Sequence, residues 1–128
     1  MKRIVIALLV LLCVGCNAPP NQKQNQLSPS GQYVLSVPHK NQSGSNESVW
    51  MVTIKSKDGS ILYEDKNSAM WWGANAYFGW DKQDRVWLYY SDDSSIWRWE
   101  LVNGTWKKLR SSKEDGMPDW ILPDYEKN

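Results

Sequence analysis

A period of two in the placement of apolar residues is the feature that most constrains how this chain folds. Across residues 31–110, apolar side chains recur at alternate positions and short turn sequences interrupt them. Side chains of a β-strand point alternately to opposite faces, whereas a helix needs apolar residues three or four positions apart. The sequence therefore predicts an all-β domain of about seven short strands: a small antiparallel sandwich, a barrel or a bent, blade-like sheet.

The predicted strands are short apolar and β-branched runs that end at turn residues. They span residues 32–37, 48–55, 60–64, 76–80, 85–90, 96–102 and the residues after Gly104. The turn sequence Lys57-Asp58-Gly59 predicts a hairpin whose left-handed position is taken by Gly59. In that hairpin Ile54 is expected to face Leu62, which keeps the apolar face of the two strands continuous.

The last hairpin has the clearest local signal. Asn103-Gly104 is a preferred pair for a two-residue type I′ turn, in which both residues take positive φ. Such a turn places Leu101 opposite Trp106 and Trp99 opposite Lys108. The lysine ammonium group is then expected to contact the indole ring in a cation–π interaction.

The first fifteen residues have the composition of a secretory signal peptide. Lys2 and Arg3 precede eleven mostly branched apolar residues, too few to cross a bilayer core, which needs about 20 helical residues. The run ends in Cys13-Val14-Gly15-Cys16. This segment resembles the signal of bacterial lipoproteins, which implies cleavage between Gly15 and Cys16 and lipidation of Cys16. Ordinary cleaved secretion and an uncleaved anchor are the alternatives.

The lipoprotein resemblance implies a domain held on a membrane of the bacterial cell envelope by acylated Cys16. Asn17 rather than Asp follows the cysteine, which favours the outer membrane, facing the periplasm, over the inner membrane or the cell surface. Residues 16–30 are polar and contain three prolines, so we expect the lipidated N-terminus to continue into a flexible linker. Residues 31–110 then form the tryptophan-rich β domain. Residues 111–128 form an irregular arm, held to the domain by Trp120, Ile121 and Leu122.

Loss of the signal peptide changes the charge and the cysteine content. The mature chain keeps 113 residues, enough for one small domain. Without Lys2 and Arg3, 13 of the 15 basic residues remain against 14 acidic ones, a formal charge of −1. No basic patch is present, so nucleic acid is not an expected partner. The domain must be stable without a disulfide, and with one histidine no metal or cofactor is predicted.

Three segments resemble strands and turns of β-propeller blades. They are residues 28–33, 54–59 and 85–93. One blade takes about 40–45 residues and a closed ring at least four blades, so residues 28–110 suffice for about two. The resemblance implies an isolated blade-like sheet rather than a complete propeller.

Nine tryptophans, all in the mature chain, provide both core and candidate surface residues. Those in predicted strands fit a core that lacks disulfide support: Trp50, Trp87, Trp97 and Trp99. Trp71 and Trp72 differ, because adjacent strand residues face opposite ways and cannot both be buried on one side. At least one of them is a candidate exposed anchor for a protein, a glycan or a lipid.

The sequence gives little support for catalysis. His39 has no nucleophile motif beside it and is predicted to lie on the surface. Glu64-Asp65 and Asp92-Asp93 are neighbours in sequence, which says nothing about the carboxylate separation that glycoside hydrolysis requires. Both pairs fit turns and strand ends. The acidic loops 81–84 and 92–93 lack the spacing of an EF-hand, so we predict neither an enzyme nor a metal site.

The leading functional hypothesis is an envelope lipoprotein whose β domain binds another protein. In general architecture such a chain is similar to small immunity proteins, inhibitors and assembly accessory factors. The predicted binding surface is an exposed aromatic patch bordered by acids: Trp71, Trp72, Asp92 and Asp93. The alternative is a module that binds glycan or peptidoglycan by stacking tryptophan rings on sugar faces.

Overall fold

A computed structural model describes residues 18–41 and 46–127 of the chain. The predicted signal peptide and Cys16 lie outside the described residues. Within them the fold is all-β, as the period of two predicts, and every strand pair is antiparallel. The strands form two four-stranded sheets and one two-stranded sheet, none of which closes into a barrel. No helix in the described parts is long and apolar enough to span a membrane.

The strands in chain order are β1 (Gln26–Leu27), β2 (Tyr33–Ser36), β3 (His39–Asn41), β4 (Ser48–Trp50), β5 (Thr53–Ser56), β6 (Ile61–Glu64), β7 (Ala76–Trp80), β8 (Val86–Tyr90), β9 (Ser95–Val102) and β10 (Thr105–Ser111). Single turns of 3-10 helix lie at Pro20–Gln22, Lys113–Asp115, Asp119–Ile121 and Asp124–Glu126. About seven strands were expected from the sequence. The higher number comes from β1 and β3, which are too short to show a period, and from the division of the expected strand at residues 48–55 into β4 and β5.

Strands β7 to β10 form a meander in which each strand pairs with the next along the chain, as in a propeller blade. The predicted turn at its end is confirmed, with φ of 49° at Asn103 and 79° at Gly104. The predicted register is also confirmed, because Leu101 faces Trp106 and Trp99 faces Lys108. The Lys108 ammonium group lies 5.7 Å from the centre of the Trp99 ring.

The other four-stranded sheet has the order β1-β2-β5-β6, and the β3–β4 hairpin leaves it between β2 and β5. The expected strand at residues 48–55 is therefore divided into β4 and β5. The expected pairing of Ile54 with Leu62 is wrong, because Ile54 faces Tyr63 and Lys55 faces Ile61. Leu62 is the extra residue of this irregular pair. It projects into solvent instead of extending the apolar face.

The main core lies between the two four-stranded sheets, which therefore pack as a small sandwich. Leu35 and Ile54 of the first sheet, and Val52 just before β5, are buried with Phe78, Leu88 and Trp99 of the second. The second sheet is also covered on its outer face. There Met117, Ile121 and Leu122 of the arm bury Trp87, Tyr89 and Ile96. Consequently Trp87 and Trp99, on opposite faces of one sheet, are both fully buried.

The described part of the expected linker belongs to the domain instead of extending freely. The side-chain amide of Asn21 donates to the carbonyl oxygens of Ile121 and Leu122, at 3.1 and 3.4 Å. Gln24 donates to the Val37 carbonyl and accepts from its N–H, and Gln26 begins β1. The polar side chains from which we predicted a linker therefore do not simply face solvent. Their amide groups form hydrogen bonds with main-chain groups of distant segments.

Candidate binding surface

The two adjacent tryptophans lie in a loop at residues 69–75, between β6 and β7. We name this segment the tryptophan loop. Trp71 is 51% exposed and Trp72 is 48% exposed, so half of each side chain is open to solvent. Contiguous exposed apolar surface marks interaction sites. Of the exposed neighbouring pairs (Ile61 with Leu62, Leu101 with Val102, Trp71 with Trp72), this one consists of the residue most enriched at the energetic centres of interfaces. The tryptophan loop is accordingly the first candidate for a binding surface.

Main-chain and side-chain bonds hold the tryptophan loop against the sandwich. The Tyr90 hydroxyl donates to the Trp71 carbonyl at 2.9 Å, and the Trp50 indole N–H donates to the Ala74 carbonyl at 2.7 Å. The Trp72 N–H donates to the Ser48 carbonyl at 3.2 Å. The Trp71 ring lies so close to Gly73 that a Cβ on this glycine would sit 2.2 Å from a ring carbon. These bonds hold the backbone of the loop, and the Trp71 ring packs on Gly73.

His39 is the residue of this site that the sequence did not identify. It is exposed, as predicted for a surface histidine, but its ring stacks on Trp72 at 5.2 Å and 22°. The same ring meets the Trp50 ring edge-on at 5.7 Å. Strands β3 and β4 produce this contact by pairing His39 with Trp50. We name Trp50, Trp71, Trp72 and His39 the aromatic patch.

The predicted acidic border lies in the turn at residues 91–94, which we name the acidic turn. Ser91 and Asn75 join it to the tryptophan loop through bonds of 2.9 and 3.0 Å. Burial, followed by the negative charges of Asp92 and Asp93, raises the pKa of Tyr90, whose hydroxyl holds the Trp71 carbonyl. The four predicted residues are therefore attached to one end of the sandwich.

Within the acidic turn the two carboxylates have different environments. The Asp93 carboxylate accepts the Ser95 N–H at 2.9 Å, and hydrogen bonding with Ser95 lowers the pKa of Asp93. Asp92 is exposed. The lowered pKa keeps the Asp93 carboxylate negatively charged at neutral pH. The acidic turn therefore offers charge to a partner but no paired acid and base.

The other acidic residues singled out in the sequence stabilise the fold. Glu64 pairs with Lys40 at 3.5 Å and buried Asp65 with Lys108 at 2.7 Å. Among the described residues, no group of three or more histidines, cysteines, aspartates or glutamates lies close enough to hold a metal ion.

Asp81, in the other acidic loop, accepts four hydrogen bonds. They come from the N–H groups of Gln83 and Arg85, the guanidinium of Arg85 and the Trp87 indole, at 2.6 to 3.0 Å. Desolvation alone would raise the pKa of this carboxyl, but the bonds from Trp87, Arg85 and Gln83 outweigh it and lower the pKa. The carboxylate is thus fully used in closing a turn and in bonding a buried tryptophan.

The tryptophan loop and the acidic turn are hydrogen-bonded to each other at one end of the sandwich. The patch offers two tryptophan side chains that are about half exposed, and the turn offers the two carboxyl side chains of Asp92 and Asp93. Comparison of the chain with protein-family models, curated proteins and solved structures finds no match.

Proposed function

We propose that the protein is a lipid-anchored protein of the bacterial cell envelope whose β domain binds another protein through the aromatic patch. Depending on which protein it binds, this chain acts as an immunity protein, an inhibitor or an envelope accessory factor. Two half-exposed, adjacent tryptophans held by a braced loop are the observation that carries the proposal.

Tryptophan is among the residues most enriched at the energetic centres of protein interfaces. A ring that is already fixed in the free protein loses little conformational freedom on binding. Trp72 meets this condition because it stacks on His39, and Trp71 meets it because it lies on Gly73. The aromatic patch is therefore pre-organised for binding in the free protein.

The acidic turn defines the chemistry that the partner should offer. Asp92 and Asp93 carry negative charge at the end of the sandwich that bears Trp71. Charges at an interface border steer encounter and select partners more than they add affinity. We therefore expect an apolar groove on the partner with lysine or arginine at its border.

The anchor is the second part of the proposal. Its support is the pair Lys2-Arg3, the short apolar run and Gly15-Cys16. A Cys16→Ser change removes the acylated thiol and should release the protein from the membrane fraction of the cells that produce it. Continued membrane association of that variant would overturn the anchor.

A glycan is the second candidate ligand, and the stacking of His39 on Trp72 is what favours it. The pair forms a flat platform of the kind on which a sugar ring can stack. Soluble cell-wall fragments should then quench tryptophan fluorescence at micromolar to millimolar concentration. A protein partner predicts no such quenching by wall fragments.

In-cell cross-linking tests the protein-binding proposal. The wild-type protein should cross-link to a defined protein in the intact envelope, and the variant Trp71→Ala/Trp72→Ala should lose at least nine-tenths of that product. Leu62→Ala is the matched control, because Leu62 is similarly exposed but lies on β6 of the first sheet. Capture of wall polymer alone, or equal losses in both variants, would overturn protein binding through this patch.

A further inference from the structure

We infer that the domain lies directly on the bilayer surface, with Trp120 and Tyr125 at the level of the lipid headgroups. The inference rests on the lipid anchor at Cys16 proposed above, and it concerns a different face of the domain from the aromatic patch. It replaces the expected long linker with close contact between the domain and the lipid.

The distance from the anchor to the folded domain is short. The chain already forms a 3-10 turn at Pro20–Gln22, and Asn21 in this turn bonds the arm at Ile121. Only four peptide units separate Cys16 from Pro20, which span at most about 14 Å. A free linker over residues 16–30 would have allowed about 50 Å. An acylated Cys16 therefore keeps the 3-10 turn close to the headgroups.

The surface beside this turn is aromatic and rich in proline. A groove at the junction of the N-terminal turn and the arm is lined by Pro19, Pro20, Tyr77, Trp120, Pro123 and Tyr125. Trp120 is 42% exposed and Tyr125 is 61% exposed. Tryptophan and tyrosine concentrate at membrane interfaces, because the ring enters the acyl boundary while the N–H or hydroxyl bonds headgroups and water.

The charges around this groove are mostly paired. Lys127 lies 3.1 Å from Asp124, and Lys113 lies 3.1 Å from Glu126. The face therefore has no dominant charge that would attract or repel anionic headgroups. The contact depends on the aromatic rings, so it should form on zwitterionic phosphatidylcholine and change little with salt.

This placement leaves the aromatic patch free for its protein partner. The arm covers the outer face of the sheet formed by β7 to β10, where it packs on Trp87 and Tyr89. The tryptophan loop instead bonds Tyr90, whose ring belongs to the core on the inner face of that sheet. The two surfaces thus lie on different sides of one sheet.

Depth-dependent quenching tests the inference on the mature, lipidated protein. The protein is reconstituted in phosphatidylcholine vesicles that carry a spin label near the headgroup, and its acylation is verified by intact mass. Lipid should quench part of the tryptophan fluorescence. Trp120→Phe should reduce the quenched fraction at least twofold, whereas Trp72→Phe should leave it unchanged. Equal quenching in wild type and Trp120→Phe would overturn the contact.

A second variant tests the membrane contact without changing Trp120, whose ring packs on Gly79 of the fold. Cys16 is the only cysteine of the mature chain, and acylation blocks its thiol, so Tyr125→Cys supplies a single site for a polarity-sensitive dye. Its emission should shift to the blue on vesicles, whereas a dye at Leu62→Cys should stay in water. No shift at Tyr125 on an acylated protein defeats only this inference. A mature protein without acyl mass defeats the proposed anchor itself.

Discussion

Trp71 and Trp120 are both about half exposed, and each lies on a glycine. A Cβ at Gly73 would meet the Trp71 ring at 2.2 Å, and a Cβ at Gly79 would meet the Trp120 ring at 2.1 Å. The contacts are alike in distance but not in origin. Gly73 belongs to the same loop as Trp71, whereas Gly79 lies in β7 and Trp120 in the arm. The first contact shapes a loop, and the second joins two distant segments.

The difference between Trp71 and Trp120 shows that the exposed fraction of a side chain does not by itself distinguish a residue needed for binding from a residue needed for packing. The neighbours of Trp120 are Ile121 and Leu122, both buried against the outer face of the second sheet. Trp71 follows one buried residue, Met70, but half-exposed Trp72 and exposed Gly73 come directly after it. We therefore expect changes at the arm to affect folding stability as well as the inferred membrane contact, and changes at the tryptophan loop to affect protein binding with little effect on stability.

Ile121→Ala should have the largest effect on stability. The Ile121 side chain is fully buried with Trp87 and Tyr89, and removal of such a side chain leaves a cavity. The free energy of unfolding should fall by about 2–5 kcal/mol, as measured by urea denaturation. The matched control is Ile61→Ala, which changes an isoleucine that is 56% exposed and should cost less than about 0.5 kcal/mol. Equal losses would show that the arm is not part of the cooperative fold.

Gly79→Ala should have the second largest effect. Strand β7 is fixed by its pairing with β8, so its backbone cannot retreat from the new methyl group. The Trp120 ring must leave its position, which should cost about 1–3 kcal/mol. Acrylamide should then quench Trp120 more strongly, as judged by the difference between Gly79→Ala and Gly79→Ala/Trp120→Phe. An unchanged unfolding midpoint and unchanged quenching would contradict a tight fit between this glycine and the ring.

The meander was the part of the fold that sequence predicted best, because its contacts are local. Asn103-Gly104 fixes the turn, and the turn then fixes every pair between β9 and β10. The same reasoning failed at the β5–β6 hairpin. There the register shifts so that Leu62 is left out of the strand pairing, and the turn sequence contains no residue that predicts this shift.

Long-range contacts explain the other differences between prediction and structure. The composition of residues 16–30 predicts a linker, yet Asn21 and Gln24 bond carbonyl groups at Ile121 and Val37. By contrast, the adjacency of Trp71 and Trp72 predicted that at least one of them is exposed, and both are about half exposed. The stacking of His39 on Trp72 depends instead on a hairpin of two three-residue strands. Periodicity cannot reveal contacts that arise only after distant segments meet.

Of these three variants, Gly73→Ala should have the smallest effect on stability. It should also reduce binding more than Gly79→Ala does, so it tests the comparison of the two tryptophans most directly. Equivalent ring carbons face Gly73 and Gly79. However, Gly73 is exposed in a loop, where both the backbone and the Trp71 ring have room to move, whereas Gly79 is buried in β7. Unfolding free energy should therefore change by less than about 0.5 kcal/mol. The displaced ring no longer matches its partner, so in-cell cross-linking should fall at least fivefold, whereas Gly79→Ala should retain cross-linking in the fraction that is folded. If Gly73→Ala were as unstable as Gly79→Ala, the tryptophan loop would be needed for folding, as the arm is. That result would contradict the proposal that the aromatic patch is a binding surface.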